Sequence, residues 1–304
     1  MVGAVKRRLS ESFEAVRHLS RLEGRYPARH SLESRAGPLI VLGAVAAAGL
    51  AWGHFEAGWL RTRIRACPLP GLPPELRGLR IVHLSDFHLG VPSRGSRAVE
   101  RGIAWAAQRR PDLVCITGDL LSHPRGEESL HRLLARLPAC YAVLGNHDFG
   151  VARDPFARRP ERLELRGQAT LLADQAVTLE LRGRRVQLVG VDPRSHLRRR
   201  ARPEDLVDRE ADLRILLCHF PRAIDRLRPG TFDLVLAGHL HDGQIAIPHG
   251  SGKLRLAHPT FPYPVGLYRR AGGTMHVSPG LGTTFVPFRF CARPEATELL
   301  LESE

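Results

Sequence analysis

The stretch that most constrains this chain is Ile81-Val82-His83-Leu84-Ser85-Asp86-Phe87-His88-Leu89-Gly90. A short apolar run of this length reads as a buried strand. It ends in a carboxylate and an imidazole two residues apart, with a glycine behind them. Open α/β sheets place their functional groups at such C-terminal strand tips. By itself Asp-x-His is a weak signal, and His83, inside the run, reads as a core histidine.

Four later stretches repeat the grammar: Gly118-Asp119, Gly145-Asn146-His147-Asp148, Cys218-His219 and Gly238-His239-Leu240-His241. Each follows an apolar run. Between the first three lie patterns for helices near 95–109 and 126–137, so that ligand-bearing loops recur about every thirty residues, the spacing of βαβ units. Strands are expected at 79–85, Leu113–Thr117 and Tyr141–Leu144, then at Leu171–Ala173, Val177–Leu181 and Val186–Val191, with Arg182-Gly183-Arg184 as a hairpin turn. Ile215–Cys218 and Leu234–Ala237 lead to the last histidines. Segments 243–248, 265–269, 274–278 and 296–301 are expected to complete a second, more antiparallel sheet.

Taken in order, Asp-x-His, Gly-Asp, Gly-Asn-His-Asp, His and Gly-His-x-His resemble the calcineurin-like metallophosphoesterase family, over roughly Leu79 to Leu301. Gly238-His239-Leu240-His241-Asp242-Gly243-Gln244-Ile245, Ser278-Pro279-Gly280-Leu281-Gly282, Pro287-Phe288-Arg289 and Pro294-Glu295 are similar to its membrane-anchored bacterial phosphodiesterase branch, in which glycine usually stands where this chain has Asp242. The resemblance implies an α/β fold, a four-layer β-sandwich flanked by helices. It implies one metal site of Asp86, His88, Asp119 and His241, and a second of Asp119, Asn146, His219 and His239, bridged by Asp119. His147 would be the catalytic, non-ligand histidine that stabilises the phosphate or protonates the leaving oxygen, with Asp148 either orienting it or structural. The implied reaction is hydrolysis of a phosphodiester or pyrophosphate by a metal-bridging hydroxide. Carboxylate, imidazole and amide donors suit manganese, iron, zinc or nickel alike, and two ions, manganese foremost, are expected. UDP-2,3-diacylglucosamine of lipid A synthesis is the specific substrate expected. Nucleotides or phospholipid headgroups are the alternative, and a non-catalytic metal-binding scaffold is a remote one.

The N-terminal quarter reads differently. Residues 1–35 carry eight Lys/Arg against four acids, with Val5, Leu9, Phe13, Val16, Leu19 and Leu22 as an amphipathic stripe. That stripe suits a membrane surface, its own domain or a partner. Ala36 to Phe55 contains no Asp, Glu, Lys or Arg, and twenty helical residues match a bilayer core. A single inner-membrane anchor is expected, on an undetermined side, because arginines flank both ends about equally. Residues 56–78, with Pro68, Pro70, Pro73 and Pro74, read as a stiff linker, and 79–304 as the catalytic domain.

The formal charge is +14, and Lys6 and Lys253 are the only lysines. This arginine excess suits an anionic, lipid-linked substrate or membrane. Nucleic acid is not expected, since no helix-turn-helix, zinc-finger or RNA-binding signature accompanies it. Arg194 to Glu210 is either a solvated segment or an arginine rim, and Asp192 either orders a loop or is structural. Five scattered cysteines form no CxxC motif. His123, His131, His196, His249, His258 and His276 match no ligand position and are expected at the surface or in loops.

Overall fold

The computed structural model describes residues 30–151, 154–158, 163–250 and 252–304, so most of the basic stripe of 1–35 lies outside the described residues. The elements are α1 (His30–Ala57), β1 (Arg61–Leu69), β2 (Arg80–Leu84), α2 (Gly95–Arg109), β3 (Leu113–Thr117), α3 (Glu127–Leu134), β4 (Cys140–Val143), β5 (Thr170–Leu171), β6 (Gln175–Leu181), β7 (Arg184–Gly190), α4 (Pro193–Leu197), β8 (Leu213–Leu217), β9 (Leu234–Ala237), β10 (Ala246–His249), β11 (Gly252–Arg255), β12 (Gly266–Arg270), β13 (Gly273–Val277) and β14 (Glu295–Ser303). The chain divides into two compact units at Gly49/Leu50. In the first, the described residues are helical. Pro38–Ala57 is apolar and long enough to cross a membrane.

Two six-stranded sheets make the second unit. Their orders are β1-β14-β2-β3-β4-β5 and β12-β13-β9-β8-β7-β6. In the first sheet β2, β3, β4 and β5 are parallel, as their crossovers require. The apolar faces of both sheets meet in a shared core that includes Ile81, Cys115, Leu188, Ile215 and Leu236. Helices α2 and α3 cover the outer face of the first sheet through Val99, Ile103, Ala106 and Leu130. The outer face of the second sheet packs on Ala223, Ile224, Phe232 and Tyr263. Helices there are single turns begun by prolines, at Pro193–Leu197 and Pro221–Arg226. The hairpin between β6 and β7 turns through Arg182 (φ 55°) and Gly183 (φ 74°), a pair of left-handed residues that suits the strand twist.

Four expectations need correction. Residues 56–78 are not a free linker: α1 continues to Ala57, and β1 pairs in parallel with β14 from Arg61↔Glu295 to Leu69↔Ser303. Its Pro68 is tolerated because β1 is an edge strand with a partner on one side only. Cys67, Leu69, Leu72 and Leu76 are buried there. The C-terminal strand β14 belongs to the first sheet, antiparallel to β2. The second sheet is parallel through β7, β8, β9 and β13 and antiparallel only at its two edges, while β10 and β11 form a separate hairpin. Finally, two histidines expected at the surface or in loops are buried within elements: His131 on α3, and His276, fully, on β13. Its Nδ1 lies 2.8 Å from Nδ1 of His83, which is the core histidine expected and whose Nε2 lies 2.9 Å from the Thr117 hydroxyl.

Candidate metal centre

All seven expected ligands come together where strands of both sheets end. β2 delivers Asp86 and His88, β3 Asp119, β4 Asn146, β8 His219, and β9 His239 and His241. To point a side chain back over a strand tip, the backbone must turn sharply. Asp86 (φ 55°), His88 (47°), Asp119 (53°), His239 (78°) and His241 (51°) all adopt left-handed conformations, each at a cost on the order of 1 kcal/mol. The motif glycines have a second reason. A Cβ on Gly145 would lie 2.1 Å from Asp119 Oδ1, and one on Gly238 would lie 2.5 Å from Asp86 Oδ2. The loops interlock so closely that only hydrogen fits. Asp242, at the position where glycine is usual, is also left-handed (φ 51°). Lys253 Nζ at 2.9 Å and an Arg255 nitrogen at 2.7 Å hold its carboxylate, and such charge-assisted bonds offset the backbone cost.

Asp119 is central. Its Oδ2 lies 3.2 Å from His219 Nε2 and 3.6 Å from His88 Nε2, while Oδ1 accepts the His147 backbone N–H at 2.8 Å. On one side, His88 Nε2 is 3.0 Å from His241 Nε2, which is 3.5 Å from Asp86 Oδ1. On the other, His219 Nε2 is 3.1 Å from both Asn146 Oδ1 and His239 Nδ1.

These contacts decide whether a cation fits. His219 Nδ1 lies 2.8 Å from the Thr117 carbonyl, so it carries the hydrogen and a neutral ring leaves Nε2 bare. A bare nitrogen, a carboxylate oxygen and an imidazole nitrogen then face one another, which only positive charge can reconcile. Without a metal, a proton does this. Burial opposes charge on His219, but Asp119, by attraction and hydrogen bonding, lifts it to about 9. Burial also resists ionisation of Asp119, yet His219 holds it well below the usual carboxylate range. Burial raises Asp86 to about 7 and draws His88 down to about 3. Three clusters, Asp86/His88/His241, His88/Asp119/His147 and Asp119/His219/His239, have donor atoms close enough to hold a divalent ion.

A measurable consequence follows. Near neutral pH the proton on His219 must leave before Nε2 can bind a cation, and the partly protonated Asp86 must ionise too, so loading should release at least one proton. Calorimetric titration with manganese in buffers of different ionisation enthalpy would detect it, and heats independent of buffer would contradict the assignment. The sign also sets the trend: cation affinity falls as pH drops below about 9, because the proton competes for His219.

His147 sits against His88, with ring centroids 4.6 Å apart. Of the two roles open to Asp148, the contacts are those of the structural one. Its carboxylate accepts the Leu121 N–H at 2.9 Å and the Gly145 N–H at 2.8 Å, tying the second and third ligand loops together. The residues nearest the His147 side chain are ones that sequence reading missed. Thr284 Oγ1 lies 3.4 Å from His147 Nε2 and donates to Asp154 Oδ2 at 2.9 Å. Burial disfavours charge on Asp154, but the Phe285 and Phe156 N–H groups and the Thr284 hydroxyl keep it ionised at a lowered pKa. Also unassigned beforehand was Arg289, fully buried below His241. It donates to the carbonyls of Pro279, Gly282 and Ala292 at 2.6–3.0 Å. Only the Pro287-Phe288-Arg289 resemblance signalled it. Asp192 caps α4 and pairs with Arg194 at 2.6 Å, which is a structural role.

The model of the calcineurin-like phosphoesterase family matches residues 79–243. The chain belongs to that family. Among its relatives, the Bacillus subtilis protein YkoQ, named an uncharacterized metallophosphoesterase, is 31% identical over 234 residues, covering 75% of this chain and 84% of that protein. A zebrafish (Danio rerio) transmembrane protein with a metallophosphoesterase domain is 34% identical over 256 residues, or 77% of this chain, which spans about half (56%) of that protein. The Escherichia coli phosphodiesterase YaeI is 28% identical over 268 residues, covering 83% and 93%. Membership of the calcineurin-like phosphoesterases makes the chain a hydrolase of phosphoesters.

Proposed function

We propose that the chain is a dinuclear, metal-dependent phosphodiesterase that hydrolyses an anionic, lipid-linked phosphoester or pyrophosphate at the bacterial inner membrane. The observation that carries the dinuclear reading is the position of Asp119 Oδ2, within reach of His88 on one side and His219 on the other. Asp86, His88, Asp119 and His241 would hold one cation; Asp119, Asn146, His219 and His239 would hold the other. Manganese, iron, zinc and nickel all suit these donors. When bound, the cations supply Lewis acidity and lower the pKa of a coordinated water. The protein contributes the rest. His147 faces the phosphate and donates a proton to the departing oxygen, and the Thr284–Asp154 pair steadies its ring.

The lipid part of the proposal rests on what adjoins Thr284. An apolar cavity of about 200 Å³ is lined by Val91, Pro92, Phe156, Phe285, Val286 and Pro287 among others. The same segment grips the end of the candidate membrane span. The Arg289 N–H donates to the Gly53 carbonyl at 3.0 Å, and the Phe288 ring packs on His54, centroids 6.3 Å apart. An apolar cavity beside the Thr284–His147 contact suits an acyl chain. UDP-2,3-diacylglucosamine, a pyrophosphate on a two-chain lipid, has the right parts, and phospholipid headgroup diesters share them.

The test uses the full chain in detergent, loaded with manganese. Bis(4-nitrophenyl) phosphate, UDP-2,3-diacylglucosamine and phosphatidylglycerol are offered separately, with products identified by mass spectrometry. Cleavage of the aryl diester and of one lipid is expected. Cleavage of the aryl diester alone would remove the lipid substrates, and cleavage of none would remove the hydrolase reading.

A further inference from the structure

A second cavity, of about 350 Å³, opens on the other flank of the metal ligands, between α4 and the turn at Pro221–Arg226. Its lining includes Arg199, Arg202, Arg226, His196 and Glu204. Four arginines nearby are neutralised: Arg194 by Asp192, Arg214 by Asp233, Arg185 by Asp208 and Arg228 by Glu204. Among the described residues, no carboxylate lies within ion-pair distance of Arg199, Arg202 or Arg226. The one acid in the lining, Glu204, is already engaged, its Oε2 at 3.0 Å from Arg228 Nε and its other oxygen on the Arg228 N–H. Three uncompensated cations therefore share one concave site.

This site is coupled to the metal ligands by aromatic contact. The His196 ring stacks on Phe220, centroids 5.1 Å apart and planes 19° apart. Phe220 in turn meets His219 at 5.0 Å and His239 at 4.6 Å. The cavity wall is thus one phenyl ring away from two of the proposed ligands. Burial, with Arg226 and His219 adding to it, pulls His196 down to about 4. It is neutral at physiological pH, and the positive potential of the cavity comes from the arginines.

We propose that this cavity is an anion subsite, which receives a second negatively charged group, of phosphate type, carried by the substrate on the arm opposite the leaving group. The inference rests on the phosphoesterase reading and deepens it: the preferred substrate carries two anionic centres, one at the metals and one among Arg199, Arg202 and Arg226. Arginine forks suit phosphate oxygens. Because all three side chains are exposed, the attraction is screened by salt.

The test uses the full, manganese-loaded chain and a matched pair of 4-nitrophenyl hexyl phosphodiesters. One hexyl arm ends in a phosphonate, the other in a hydroxyl. Release of nitrophenolate reports the same bond cleavage in both. At low ionic strength, kcat/KM should be about tenfold higher for the phosphonate arm, mainly through KM, and the advantage should shrink with added salt. In the variant R199Q/R202Q/R226Q the advantage should disappear while the hydroxyl-arm ester turns over unchanged, which also shows that the variant is folded. Equal kcat/KM for the two esters in the unaltered protein, or an advantage that survives the triple substitution, would overturn the subsite. Hydrolysis of neither ester would overturn the phosphoesterase reading, and the subsite with it.

Discussion

Asp119→Asn should strip cations from both halves of the centre and reduce turnover on the order of a thousandfold or more. The side chain is buried, and each of its oxygens has a task. Oδ1 accepts the His147 N–H at 2.8 Å, and Oδ2 faces His219 and His88. An amide can satisfy only one of these. With its oxygen toward His147, the NH₂ faces the proposed metal positions. Reversed, two donors confront each other over His147. The anionic charge that would neutralise two cations is gone in either case. Elemental analysis of the purified variant, alongside steady-state rates, would check this. Full occupancy of two metals in Asp119→Asn would sink the bridging assignment.

His147→Ala should behave differently: metal content retained, kcat down by about 10²–10⁴, the usual contribution of a positioned proton donor. The ring touches His88 but is held through Thr284, so its loss leaves the proposed ligands in place. The leaving group offers a sharper readout. A donor that protonates the departing oxygen matters most for a poor leaving group, so the loss should be larger for an alkyl ester than for a 4-nitrophenyl ester. A variant that turns over both as fast as the unaltered chain would remove the role assigned to His147.

Much of this was readable because the strands of the first sheet announce themselves. Ile81–Leu84 and Leu113–Thr117 are apolar runs of strand length, and each is followed within two residues by a ligand. The candidate site was legible for the same reason: its proposed ligands sit at fixed offsets from those runs. What was not legible depends on contacts distant in sequence. Thr284 and Asp154 come from irregular segments, with no periodicity to mark them, and meet only when the 283–286 loop folds beside His147. Asp148 looked like a partner for the histidine next to it, but adjacency in sequence does not fix where a carboxylate points, and the backbone amides of Leu121 and Gly145 claim it. His276 is of a residue type more often found at the surface; inside the sandwich its Nδ1 meets His83, which Thr117 holds in turn. The cluster of prolines after Cys67 masked β1, since proline argues against a strand except at an edge.

That edge strand bears on how the protein can be handled. Trimming the apolar helix to obtain a soluble form invites a cut at the proline cluster, yet such a cut would remove β1 and bare the whole length of β14. β14 would then be an open sheet edge, and a strand edge with free amides and carbonyls is a template for pairing between molecules. It would also leave the buried Glu295 carboxylate without Arg61 and Arg63, at 2.6 and 3.0 Å. A start near Leu50 keeps both, together with Glu56, whose carboxylate accepts the Ala292 N–H at 2.9 Å. The stretch that looks like a dispensable tether is what keeps the domain from aggregating through its own sheet.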